Sequence, residues 1–322
     1  MKKILIVGAG GQIGSELVPH LRSIYGNNNV VAADISAEKC KVLAEAGPFE
    51  ELNALDGEKY TAIVKKYGID TIFNLVALLS ATGEKNPVLA WNINIGALTN
   101  SLNIAKDNDC AVFTPSSIGA FGKDTPKYKT PQDTLQRSNT TIYGVCKVTG
   151  ELLSDYYFNR FGVDTRSVRF PGLISYVTLP GGGTTDYAVE IYYDAIRRGA
   201  FTCNVKAGTY MDMMYMPDAL NAVVQLMEAD PSRLKHRNSF NIAAMSFEPG
   251  QIAAEIRKHL PDFKMDYQID PVKQAIADSW PNSMDDSCAR EEWGWKPEYN
   301  LQNMTVDMLV KVKEKFDKGL IK

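Results

Sequence analysis

A glycine-rich run, Gly8-Ala9-Gly10-Gly11-Gln12-Ile13-Gly14, separates a short apolar, β-branched stretch from a longer amphipathic one. Glycines at such a junction allow a tight turn from strand to helix and let the backbone approach a phosphate closely. The helix N-terminus then offers unpaired N–H groups and the positive end of its dipole. Gly8, Gly11 and Gly14 are spaced three and three, so the last glycine of a Gly-x-Gly-x-x-Gly pattern falls on Ile13 instead. Asp34 closes the next apolar stretch, about 20 residues beyond the turn, where a carboxylate can accept hydrogen bonds from adenosine ribose hydroxyls. A negative charge there repels a 2′-phosphate, so turn and acid together read as a site for NAD, not NADP. The glycines alone would also suit a plain flexible turn.

Apolar, β-branched runs at 3–7, 30–33, 71–75, 111–115 and 164–170 alternate with amphipathic stretches at 13–25, 60–67, 90–108 and 142–161. This alternation predicts a parallel sheet flanked by helices, because parallel neighbours need crossover connections. The expected fold class is α/β: a Rossmann, doubly wound parallel sheet with a smaller, discontinuous C-terminal substrate-binding region. After Pro171 the alternation breaks. Helices are expected at 187–198 and 217–228, and a short strand at 239–243 that rejoins the sheet. Residues 1–175 and 212–244 are thereby assigned to the NAD-binding domain, and 176–211 and 245–322 to the substrate-binding region.

The 322 residues carry 35 Lys+Arg against 38 Asp+Glu, a net charge of −3. So weak a balance leaves no electrostatic footprint for nucleic acid or an anionic membrane. No apolar run reaches the roughly 18–20 residues of a membrane span. The chain also opens directly on a strand, so a cytoplasmic protein without a leader segment is expected. Five cysteines (Cys40, Cys110, Cys146, Cys203, Cys288) and three histidines (His20, His236, His259) are scattered, which predicts neither a disulfide framework nor a metal site.

Tyr143-Gly144-Val145-Cys146-Lys147 begins an expected helix, and residues four apart share a helix face. A tyrosine with its ordinary pKa near 10 is a poor base at neutral pH, and a neighbouring ammonium favours the phenolate. Ser116-Ser117 ends an expected strand, where side chains of a parallel sheet face the ligand crevice. Alone, the Tyr-Lys spacing also fits a surface pair.

Taken in order, Gly8/Gly11/Gly14, Asp34, Asp56, Asn94, Ser117-Ile118-Gly119-Ala120-Phe121-Gly122, Tyr143 and Lys147 resemble the extended short-chain dehydrogenase/reductase family. The resemblance covers nearly the whole chain. It implies a catalytic set of Ser117, Tyr143 and Lys147. Tyr143 would remove a hydroxyl proton, Lys147 would bind the nicotinamide ribose and support the phenolate, and Ser117 would orient the substrate oxygen. By position, Gly11, Gln12 and Ile13 would face the pyrophosphate, Asp34 and Ile35 the adenosine ribose, and Leu55 and Asp56 the adenine. Leu75, Ala77, Leu78, Pro171 and Ile174 would line the nicotinamide side. For the leucines and Ile174, plain core packing is an equal reading. Asn94 is either the polar hinge found at that point in the family or a helix-surface amide.

Members of that family that act on nucleotide sugars carry an arginine to clamp the diphosphate. Its position here falls on Met211, although Arg166, Arg169, Arg197 or Arg198 could substitute. Two stretches, Pro180-Gly181-Gly182-Gly183-Thr184-Thr185-Asp186-Tyr187 and Asp278-Ser279-Trp280-Pro281-Asn282-Ser283, resemble a narrower branch. So do Asp285-Asp286-Ser287 and Trp293-Gly294-Trp295. That branch is the short-chain-type L-threonine 3-dehydrogenases, which oxidise the 3-hydroxyl of L-threonine to 2-amino-3-ketobutyrate with NAD+. A small zwitterion needs donors for its carboxylate, acceptors for its ammonium and a compact pocket. Ser80, Thr184 and Thr185 are the candidate polar contacts, with Trp280 as an apolar lid; the threonines could equally cap the helix near Tyr187, and Trp280 could be core. The competing readings are a nucleotide-sugar epimerase or dehydratase, and a dinucleotide-binding protein without turnover. The resemblance further implies a homodimer built on the helices at 90–108 and 142–161.

Overall fold

A computed structural model describes residues 1–134, 140–179 and 181–321. Pro180 of the glycine-rich motif and the terminal Lys322 lie outside the described residues.

In chain order the first half runs β1 (Ile4–Val7), α1 (Gln12–Tyr25), β2 (Val30–Asp34), α2 (Lys41–Ala46), β3 (Phe49–Glu51) and α3 (Gly57–Tyr67). It continues through β4 (Thr71–Asn74), α4 (Ser80–Gly83), α5 (Pro87–Asn108), β5 (Ala111–Phe113), β6 (Ser116–Ser117), α6 (Ile142–Phe161) and β7 (Thr165–Phe170). The second half holds β8 (Gly172–Ile174), α7 (Tyr187–Arg198), β9 (Ala200–Cys203), β10 (Met211–Tyr215), α8 (Met216–Glu228) and β11 (Asn238–Asn241). Last come β12 (Met245–Phe247), α9 (Pro249–Arg257), β13 (Lys264–Tyr267), α10 (Pro271–Ser279), α11 (Ser287–Trp293) and α12 (Leu301–Asp317).

Seven strands form one parallel sheet in the order β3-β2-β1-β4-β5-β7-β11, with β6 beside β7. Strand order reverses between β1 and β4, and the crevice beyond the carboxyl ends at such a reversal is where open α/β sheets bind ligands. β1 shows why the sheet is covered on both faces. Ile4 and Ile6 pack with Leu17, Val18 and Leu21 of α1, whereas Leu5 and Val7 pack with Tyr60, Ile63 and Val64 of α3 and Leu98 and Leu102 of α5. All four β1 residues are buried, as a strand covered on both faces requires.

Local chemistry explains where expectation and structure part. α5 begins at Pro87, ahead of the expected position 90, because the Asn86 side chain accepts from the Leu89 N–H and proline suits the first helical turn. The single strand expected at 111–115 divides into β5 and β6 around Pro115, which has no N–H to give the ladder. The strand expected at 239–243 is β11, parallel to β7. β3, and the β8-β10-β12 and β9-β13 pairings, were not anticipated.

β10 is a seam between two cores. Its Met211, Met213 and Tyr215 pack with α7, α9 and α12, while Met214 packs against the nucleotide-side core that also takes α8, Trp293 and Trp295. Asp212, between them, is buried and accepts from the Met284 N–H at 2.6 Å. No helix among the described residues is long and apolar enough to cross a membrane.

Candidate active site

The turn after β1 is held by close approach. A Cβ on Gly14 would sit 2.4 Å from the Gly8 carbonyl oxygen and 2.7 Å from the Ala9 Cα, both backbone, so the first turn of α1 can pack there only as glycine. The Asp34 carboxylate accepts from the Gly10 N–H at 2.8 Å and from the Ser36 N–H at 2.9 Å, which ties the end of β2 to the turn. Gly11, at the N-cap of α1, supplies no side-chain acceptor. The opening N–H groups of α1 therefore present an uncapped positive dipole end to the crevice, chemistry that fits a pyrophosphate.

Gly8, Gly11, Gln12, Ile13 and Gly14 form one end of a cleft of about 460 Å³. Leu75, Ala77, Leu78 and Pro171 line it further along. Ile174 does not: it is fully buried in the core around α7. Ile35 and Leu55 are exposed, and Asp56 caps α3 by accepting from the Lys59 N–H at 3.0 Å. Asn94 is no surface amide. It is buried, accepts from the Leu78 N–H at 2.7 Å and donates to the Leu78 carbonyl at 3.2 Å, bracing the segment after β4.

Ser117, Tyr143 and Lys147 meet at the middle of the same cleft. Thr141 caps α6 by accepting from the Gly144 N–H at 3.0 Å, and Glu84 accepts from the Ile142 N–H at 2.7 Å. These contacts fix the first turn that carries Tyr143. Lys147, one turn on, donates to the Pro115 carbonyl at 2.5 Å, with its Nζ 5.3 Å from the Tyr143 ring centroid. Ser117 accepts from the Gly119 N–H at 3.0 Å. The sequence alone assigns Gly119 no role. A Cβ on it would stand 3.2 Å from the Tyr143 ring, so glycine there gives the ring its place. Behind this triad, Glu151 of α6 and Arg169 of β7 form a buried ion pair at 2.9 Å, and Ser116 also bonds Glu151.

The far end of the cleft is lined by Ser80, Thr184, Thr185, Asp186 and Trp280. Ser80 and Thr184 are buried, and the Thr184 hydroxyl has no hydrogen-bond partner among the described residues. The threonines do not cap α7; its N-cap is Asp186, whose carboxylate reaches back to the Gly182 and Gly183 N–H groups at 2.9 and 2.7 Å. Burial pushes the Asp186 carboxyl up to about 6 against the pull of those amides. Asp186 follows Thr184-Thr185 directly in sequence, but nothing in a linear motif signals that its carboxyl is buried. Trp280 is nearly buried, and Lys127 donates to its carbonyl at 2.9 Å and to that of Asp278 at 2.6 Å.

Among the described residues no arginine lines the cleft. Arg166 is tied to Asp164 and to the Leu226 and Ala229 carbonyls, Arg169 to Glu151, and Arg197 and Arg198 end α7. None of the four replaces the missing diphosphate clamp.

Residues 4–243 match the NAD dependent epimerase/dehydratase family. The chain belongs to that family. Its cofactor is NAD, and the uncapped turn at α1 fits it. An uncharacterized epimerase/dehydratase from Staphylococcus haemolyticus (strain JCSC1435) is 57% identical over 315 residues, spanning 98% of this chain and 99% of that protein. Among solved structures, L-threonine dehydrogenase from Clostridium difficile is 58% identical with a TM-score of 0.96, covering 98% of each chain. The holo form of the GalE-like L-threonine dehydrogenase from Cupriavidus necator is 48% identical with a TM-score of 0.93, covering 96% of this chain and 99% of that one.

Proposed function

We propose that the chain is an NAD-dependent L-threonine 3-dehydrogenase, oxidising the 3-hydroxyl of L-threonine to 2-amino-3-ketobutyrate. One observation carries the reading: Ser117, Tyr143 and Lys147 share a cleft whose polar end holds a carboxylate and hydroxyls and, among the described residues, no arginine. Such an end suits a small zwitterion, and its described residues offer no arginine to clamp a sugar diphosphate. The likeness to solved L-threonine dehydrogenases supports it.

Bound NAD+ supplies the hydride acceptor. The Tyr143 phenolate oxygen takes the substrate hydroxyl proton, Ser117 orients the substrate oxygen, and Lys147 supports the phenolate and holds the ribose. Asp34 receives the adenosine ribose hydroxyls. At the far end, Asp186 faces the substrate ammonium, Ser80, Thr184 and Thr185 take the carboxylate, and Trp280 closes over the methyl group. Residues 1–175 and 212–244 hold the cofactor in this reading, and the remainder builds the pocket. We extend the proposal to a homodimer through α5 and α6, on which Trp91, Leu152 and Tyr156 remain exposed.

Purified protein with NAD+ should form NADH with L-threonine. NADH formation with a UDP-sugar alone would sink the assignment, and sedimentation as a monomer at micromolar concentration would remove the dimer.

A further inference from the structure

Away from the cleft, the fold gathers three groups that the sequence scatters. His236 precedes β11, while Cys288 and Glu292 stand four apart on one face of α11. A nitrogen of His236, the Cys288 sulfur and a Glu292 carboxylate oxygen all lie within 4.8 Å of one another. Nδ1 of His236 contacts the Glu292 carboxylate, and Nε2 lies 3.4 Å from the Asp133 carboxylate. The other Glu292 oxygen accepts the Lys235 and His236 N–H groups, so that side chain is fixed and nearly buried.

Imidazole, thiolate and carboxylate together are the donor set of borderline-soft divalent ions. Asp133 adds the feature that separates a ligand set from a chance ion pair. Histidines that bind metal through one nitrogen usually give the other N–H to a carboxylate, which fixes ring and tautomer. We propose that His236 Nδ1, the Cys288 thiolate and Glu292 bind a zinc-class divalent cation, with water in the fourth position and Asp133 orienting His236. Binding sends the Cys288 thiol proton to solvent. The ion staples α11 to the segment entering β11. Asp133 extends that staple to Gln132, whose amide bonds Asn241 and whose carbonyl accepts from Arg169. Its effect is on stability, since none of these groups lines the cleft.

Chelator-treated protein titrated with Co2+ alone tests this. One equivalent should bind with a thiolate-to-cobalt charge-transfer band, Zn2+ should displace it, and the melting temperature should rise. Cys288→Ser should lose the band while melting and forming NADH like the parent in chelator. Asp133→Asn should retain the band but weaken binding by roughly 10–100-fold. Absence of the band in the parent, or its persistence in Cys288→Ser, overturns the site. Unchanged affinity in Asp133→Asn removes Asp133 from it.

Discussion

Two helices point their N-termini at the same cleft and treat their free N–H groups in opposite ways. α1 starts at Gly11 with no side chain to cap it, whereas α6 is capped by Thr141 and again by Glu84. An uncapped helix end that opens into a cleft suits an anion. A doubly capped end is a rigid mount. The difference separates the tasks: α1 waits for a pyrophosphate, and α6 holds a phenol still.

The comparison breaks most sharply at Tyr143. Tyr143→Phe should lower turnover on the order of 10²–10⁴-fold while leaving NAD+ affinity nearly unchanged, as fluorescence titration can show. A parallel loss of NAD+ binding would mean the two helix ends are not separable. Asp34→Ala attacks the α1 side instead. Loss of charged hydrogen bonds should raise the NAD+ dissociation constant roughly tenfold to a hundredfold and narrow discrimination against NADP+; an unchanged preference would remove Asp34 from cofactor choice. Thr141→Ala should cost about 1 kcal/mol in denaturant unfolding, with a loss of turnover larger than any change in NAD+ affinity.

A third helix end sharpens the contrast. Asp186 opens α7 but turns its carboxylate back onto the Gly182 and Gly183 amides. Its proton leaves only as pH rises through about 6, later than for an ordinary aspartate. The charged form is the one that attracts an ammonium, so KM for L-threonine should fall as pH rises through that value. Asp186→Asn should flatten that fall; a profile identical to the parent's would place the titration elsewhere. Folding has the opposite sign. Between the unfolded carboxylate value and about 6 the native state holds the extra proton, so this group's contribution to stability declines as pH rises.

Much of the α1 side was legible because its signals are local. The glycine spacing, Asp34 and the bounds of α6, Ile142–Phe161, follow from residues close together in the chain. The α6 mount was less legible. Glu84 meeting Ile142, Gly119 making room for Tyr143, and Arg169 meeting Glu151 join residues with no shared periodicity. The seam at β10 escaped for a related reason. A fully buried strand whose apolar residues lie on both faces reads the same whether it serves one core or two. Cys288 and Glu292 are one helical turn apart, but His236 lies far from both in sequence, so only folding brings the three together.

The buried Arg169–Glu151 pair also has an evolutionary side. Removing one partner of such a pair strands the other charge, at a cost of about 3–5 kcal/mol, a large share of a typical domain's stability. Because Glu151 rides on the helix that carries Tyr143 and Lys147, and Arg169 lies on the strand beside Ser117, drift at either position disturbs the reacting groups as well. The two should change together or not at all among descendants of this sequence, behaving in inheritance as one residue.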